Sequence, residues 1–319
     1  MTLRLLWRTL LKKQDQNNTL LRRFLFAVSL SFALFLTASA KPRVETVQFQ
    51  SKLVKATLPY KVILPLDYDT SSTTRYPVLY LLHGLTGHYS DWISRTNVED
   101  YAAQYRIIVV TPEGNDGWYT DSAMVATDKY ETYILKELIP DVQQRYRTIE
   151  ARYGRGIAGL SMGGYGSLKF GLKSPSTFVF AASMSGALGV ARFTEKETLA
   201  SGWATSLQLF GPVDSDTRKA NDLFQLVTQL PAARIASLPF FYFDCGTEDS
   251  GLIFPYNREL AGLMLEKKIP HEYRELPGDH SWAYWDKQVQ EVLKIAAQKM
   301  RLPQPFADSR NLKSEPRAN

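Results

Sequence analysis

Residues 156–172 read GIAGLSMGGYGSLKFGL. The first five are an apolar run of strand length, and the stretch from Gly163 to Leu172 has a helical pattern. Between them stands Gly159-Leu160-Ser161-Met162-Gly163, a serine with glycines two residues to either side. A chain that leaves a strand and enters a helix this abruptly must turn sharply. The turning side chain then projects above the sheet edge. Glycines at the flanks let strand and helix approach without Cβ clashes. The helix N-terminus adds free N–H groups and the positive end of a dipole. These features make Ser161 a candidate nucleophile.

Working outward, apolar runs alternate with longer helical stretches. Val44–Val54 and Thr57–Leu64 read as two early strands, a hairpin around Lys55-Ala56. Strands are then expected at 76–82 (YPVLYLL), 107–111 (IIVVT), 156–160, 178–184 (FVFAASM), 239–245 (PFFYFDC) and 271–276 (HEYREL). Helices are expected at 130–146, 163–172, 256–267 and 281–299. Such alternation implies crossover units: a mostly parallel central sheet, antiparallel strands at its N-terminal edge, and helices on both faces. Residues 185–238 form the longest interval between strands, read here as two packing helices with loops in preference to a cap. No internal repeat is present.

A nucleophilic serine needs a base. The chain has four histidines. His280 lies between the last expected strand and the last expected helix, where it can reach back over the sheet. His271 opens a strand and belongs at the opposite end, and His83 and His88 precede the serine. The base needs a carboxylate on its other nitrogen to hold its tautomer. Asp244, Glu248 and Asp249 follow the strand PFFYFDC. The order Ser161, Asp249, His280 is the serine–acid–histidine order, and Asp249 is preferred over Glu248. An acyl-transfer site also needs oxyanion donors. The backbone N–H of Met162 is one candidate. The second lies in His83-Gly84-Leu85-Thr86-Gly87, with Leu85 ahead of Gly84. His83 is expected to order that loop.

Together, YPVLYLLHGLTG, PEGNDGWYTDS, GLSMGGYGSLKFGL, DCGTEDS and GDHSWAYW resemble the esterase D-like branch of α/β-hydrolases. That branch holds tributyrin-type, acetyl and feruloyl esterases, S-formylglutathione hydrolases and the antigen 85 mycolyltransferases. The likeness spans about residues 45–300. It implies an α/β-hydrolase fold, a serine carboxylesterase acting on short-chain acyl or carbohydrate and aromatic esters, and a triad of Ser161, Asp249 and His280. It implies oxyanion N–H groups on Leu85 and Met162, and Trp118 and Tyr119 at the site border. Trp282 is a further candidate for stacking on a sugar or aromatic group. The chain departs from S-formylglutathione hydrolases at Gly87, where they carry a cysteine. The rival readings are an acyltransferase using the same residues, a binding protein on the same scaffold, and a serine peptidase. No metal or cofactor is needed for this chemistry.

Composition narrows the field. The net charge is +6 over 319 residues. Residues 1–40 hold six basic groups against Asp15 alone, and the other 279 residues are nearly balanced. A folded part without a basic patch is not a nucleic-acid binder. Arg22 and Arg23 precede the uncharged run 24–40, which closes on Ala38-Ser39-Ala40. That is the pattern of a secretory leader, and the run is short for a membrane span of ~20 residues. The expected plan is therefore an export signal or anchor over 1–40, a catalytic domain over 41–302 and a loose tail over 303–319. Cys245 is the single cysteine, so neither an internal disulfide nor a Cys-rich zinc site can form. The oligomeric state leaves no mark in the sequence.

Overall fold

A computed structural model describes residues 41–300. The expected leader and the expected tail lie outside the described residues. Eight strands form one sheet: β1 (Val44–Val47), β2 (Tyr60–Ile63), β3 (Val78–Leu82), β4 (Ile108–Pro112), β5 (Arg155–Leu160), β6 (Phe180–Met184), β7 (Phe240–Gly246) and β8 (His271–Leu276). Their spatial order is β1-β2-β4-β3-β5-β6-β7-β8. The pairs β1–β2 and β2–β4 are antiparallel, and all later pairs are parallel. This is the α/β-hydrolase fold.

The helices are α1 (Asp91–Arg95), α2 (Val98–Ala102), α3 (Tyr130–Tyr133), α4 (Ile139–Arg145), α5 (Met162–Lys173), α6 (Glu195–Ala200), α7 (Thr205–Phe210), α8 (Asp216–Asn221), α9 (Leu223–Thr228), α10 (Phe254–Glu266) and α11 (Trp282–Lys299). Alternation along each strand divides the core into two layers. In β3, Val78, Tyr80 and Leu82 pack into the layer that holds α5, while Leu79 and Leu81 pack into the layer that holds α11.

Three expectations change in detail. The two early strands are shorter than their apolar runs, because a turn at 51–56 intervenes. The Glu137 carboxylate accepts the Lys52 and Leu53 N–H groups and the Ser51 hydroxyl, while the Ser51 N–H closes the turn on the Ala56 carbonyl at 3.0 Å. The helix expected at 130–146 has a π-turn, Ile134–Leu138, between α3 and α4. Pro140, at the start of α4, has no N–H to donate to the preceding turn. Residues 185–238 hold four short helices, α6 to α9, instead of two. Gly202 (φ 77°) and Gly211 (φ 71°) break the interval. Buried Arg218 gathers it by donating to the carbonyls of Phe193 (3.0 Å) and Gly211 (2.8 Å).

Two glycines give contrasting tests. A Cβ on Gly163 would lie 2.6 Å from the His83 carbonyl oxygen and 2.7 Å from that of Leu82, both backbone. Gly163→Ala should therefore cost about 1–3 kcal/mol in urea unfolding, as core overpacking does. Gly262, exposed on α10, would meet nothing within 4 Å. Gly262→Ala should stabilise by about 0.5–1 kcal/mol, the helix-propensity difference.

Candidate active site

Ser161 follows β5 directly and precedes α5. Its φ of 50° and ψ of −114° put a non-glycine residue in a strained region. Backbone bonds hold it there. Its N–H donates to the Met184 carbonyl (3.0 Å), and its own carbonyl accepts from Tyr165 and Ala187 (3.0 Å each). Gly159 and Gly163 make the turn fit, since a Cβ on Gly159 would lie 2.5 Å from the Gly163 carbonyl carbon.

Asp249 and His280 come from the loops after β7 and β8. Those loops are stitched by backbone bonds: Thr247 N–H to Leu276 O (2.8 Å) and Glu248 N–H to Gly278 O (2.9 Å). Their crossing needs Gly246, whose Cβ would lie 2.2 Å from the Gly278 oxygen. As a result, His280 Nδ1 donates to Asp249 Oδ2 at 3.0 Å, and Ser161 Oγ donates to His280 Nε2 at 3.0 Å. The Asp249 side chain is fully buried, and its other oxygen accepts the Ser250 N–H (2.7 Å). Glu248 is exposed at the surface.

The loop His83–Gly87 lies beside the serine. A Cβ on Gly84 would reach Leu160 Cδ1 at 2.6 Å and Ser161 Cβ at 3.4 Å. Buried His83 orders it: Nδ1 donates to the Gly84 carbonyl (2.8 Å), and Nε2 accepts the Gly114 N–H (2.9 Å). Asp116 Oδ1 accepts the Thr86 N–H at 2.7 Å. Leu85 lines the cleft, and Met162 is the first residue of α5, where helix geometry leaves the N–H without an intrahelical acceptor.

The cleft over Ser161 has a volume of about 820 Å³. Its two walls belong to the two layers. Trp203, Leu85 and Ile253 come from the α5 layer, Trp282 and Trp285 from the α11 layer. Trp282 thus stands where the sequence placed it. Trp118 and Tyr119 do not. Both are almost wholly buried and neither lines the cleft. Gly166 on α5 leaves room for Tyr119, since a Cβ there would lie 2.8 Å from the ring. Buried Lys169 grips the Tyr119 carbonyl (2.6 Å) and Thr120 Oγ1 (2.7 Å), which turns the loop inward. Trp118 sits behind Trp203, ring centroids 5.3 Å apart. Trp203, like Ile253, is a wall residue that sequence reasoning missed. It stacks on Phe193 at 5.3 Å and 9°, and its only signal was an aromatic in an interval of undecided role. Arg95 was missed likewise.

Asp244, the third candidate acid, is a buried strand residue whose Oδ1 accepts the Tyr284 hydroxyl at 2.8 Å. Burial pushes its carboxyl up to about 7, against the opposing hydrogen bond from Tyr284. Among the described residues, no group of three or more His, Cys, Asp or Glu side chains is placed to hold a metal ion. No helix among them is long and apolar enough to cross a membrane.

The Esterase family model matches residues 51–295. The chain belongs to this family. It is 28% identical over 253 residues to the acetyl esterase of Caldicellulosiruptor saccharolyticus, covering 76% of this chain and 94% of that one. It is 31% identical over 261 residues to Esterase Rv1288 of Mycobacterium tuberculosis, covering 75% of this chain and 56% of that one. The solved structure of a ferulic acid esterase superposes with a TM-score of 0.70 at 27% identity, covering 81% of this chain and 98% of that one. These relatives fall within the branch that the motifs resemble. The protein is an ester-hydrolysing enzyme.

Asp244 gives this esterase a pH signature. Its folded value, about 7, exceeds the ordinary 3.8. Between those values the folded state keeps a proton that the unfolded chain releases, so this group's contribution falls as pH rises through that window. Asp244→Asn should flatten the decline in denaturant midpoint between about pH 4 and pH 7, while ester turnover persists.

Proposed function

We propose that this esterase works through an acyl-enzyme on Ser161, with His280 as general base and acid and Asp249 as the orienting carboxylate. The reading rests on one observation: an unbroken hydrogen-bonded line from Asp249 Oδ2 through the imidazole to Ser161 Oγ, with both contacts at 3.0 Å. In the first step, Ser161 Oγ attacks the ester carbonyl and its proton passes to His280 Nε2. The N–H groups of Leu85 and Met162 hold the oxyanion. As the tetrahedral adduct collapses, His280 gives its proton to the leaving alcohol. Water, activated by the same imidazole, then frees the acid and restores the serine. The buried Asp249 carboxylate stabilises the imidazolium in both halves.

The substrate is a carboxylic ester with a short-chain or aromatic acyl group, or a carbohydrate ester. The names of the acetyl and ferulic acid esterases that the chain resembles support this class, as do the aromatic walls of the cleft. We further infer that residues 1–40 are an export leader cleaved after Ala40, on the strength of their charge and apolar pattern.

Ser161→Ala should lower kcat on p-nitrophenyl acetate by about four to six orders of magnitude, the scale of triad knockouts. A fluorophosphonate probe should label the wild type and spare the variant. Near-normal turnover by the variant sinks the assignment. An added sugar or glycerol acceptor should give little transfer product beside free acid; dominant transfer would make the enzyme an acyltransferase. Protein recovered from the cell exterior should begin at Lys41.

A further inference from the structure

Resting on the serine-esterase reading above, we propose that Arg95, laid over Trp282, selects esters whose leaving alcohol carries a carboxylate. Arg95 ends α1 and lines the cleft. Among the residues lining that cleft it is the one permanent cation, and Asp91 is the one carboxylate. The two are unequal partners. The Asp91 side chain is 15% exposed and that of Arg95 56%. Asp91 Oδ2 is tucked under the neighbouring loop, accepting the His88 N–H at 3.1 Å. Its Oδ1 stands 3.8 Å from Arg95 Nε, longer than a charge-assisted hydrogen bond. The cleft therefore presents a guanidinium to substrate and keeps its carboxylate back.

That guanidinium lies 5.6 Å from the centre of the Trp282 ring. Trp282 is fixed edge-on against Trp92 (5.5 Å, 83°) and Trp285 (5.3 Å, 90°). Trp92 is anchored by its indole N–H on the Leu82 carbonyl at 3.1 Å. Trp285 stands edge-on to His280 at 4.9 Å. A rigid aromatic path thus leads from the proton donor to the cation. His280 protonates the departing oxygen, so the leaving alcohol lies on the imidazole side, next to Trp282. The guanidinium lies over the Trp282 ring, so a six-membered ring that packs against the same aromatic wall beside it can present a carboxylate to the planar fork.

The test uses two pairs of esters. The alcohol-side pair is 4-acetoxybenzoate and its neutral methyl ester. The acyl-side pair is the 4-nitrophenyl monoester of succinate and 4-nitrophenyl butyrate. Arg95→Gln should lower kcat/KM for 4-acetoxybenzoate by about 3- to 10-fold, the scale of one partly exposed charge contact. The loss should sit in KM, and the methyl ester should be unaffected. Arg95→Lys should keep part of the preference. Added salt should erode it in the wild type and not in Arg95→Gln. Equal losses on both members of the alcohol-side pair would make Arg95 merely structural and overturn the proposal. So would an unchanged ratio, or a charge effect confined to the acyl-side pair. Activity on the neutral esters reports separately on the serine machinery, so a failure there is distinguishable from a failure here.

Discussion

A serine held at φ 50° between a buried strand and a buried helix is the constraint from which the rest of the site follows. The conformation is unfavourable for a residue with a Cβ, and it persists because its surroundings over-determine it. Three backbone hydrogen bonds converge on Ser161. The helix behind it packs so closely that Gly163 touches the β3 backbone and Gly159 touches Gly163. Relaxing the turn would mean parting α5 from the sheet, and α5 is buried along almost its whole length. The strain is thus tied to the core, and the hydroxyl has one place to point.

The imidazole and the carboxylate depend on a second device. Two loops from neighbouring parallel strands leave the same sheet edge and are joined by backbone bonds at Thr247 and Glu248. The bonds fix the Asp249 to His280 spacing independently of either side chain. Asp249 is fully buried, so its charge acts through a low-dielectric path on one ring nitrogen. The cleft above joins the two layers of the protein, and each layer furnishes one aromatic wall. Changes in the 185–238 segment can therefore remodel the Trp203 wall while α1 and α11 keep the Trp282 wall in place.

Much of this was legible in the chain. The parallel sheet, the antiparallel edge, the serine turn and the loops bearing Asp249 and His280 all follow from apolar runs and glycine positions. The errors have physical causes. The early strands read too long because an apolar run does not reveal that Glu137, more than 80 residues away, bonds the turn between them. The helix at 130–146 acquires a π-turn from the single missing N–H of Pro140. Trp118 and Tyr119 read as site aromatics, yet a glycine on α5 and the buried Lys169 ammonium draw the loop into the core. Trp203 and Arg95 carried no local pattern at all, because a wall residue is defined by what faces it.

Local order alone marked Ser161 and His280 as candidates and set the chain order of the candidate acid between them, because a strand–turn–helix transition and a loop at a strand end are written in consecutive residues. The sequence already preferred Asp249 over Glu248, but how the three candidate carboxylates are placed took the folded chain. Three carboxylates within six residues differ only in direction and depth: one buried in the strand against Tyr284, one pointing to solvent, one turned under His280. Direction and depth come from packing between segments distant in sequence, and that packing exists only once the sheet has closed.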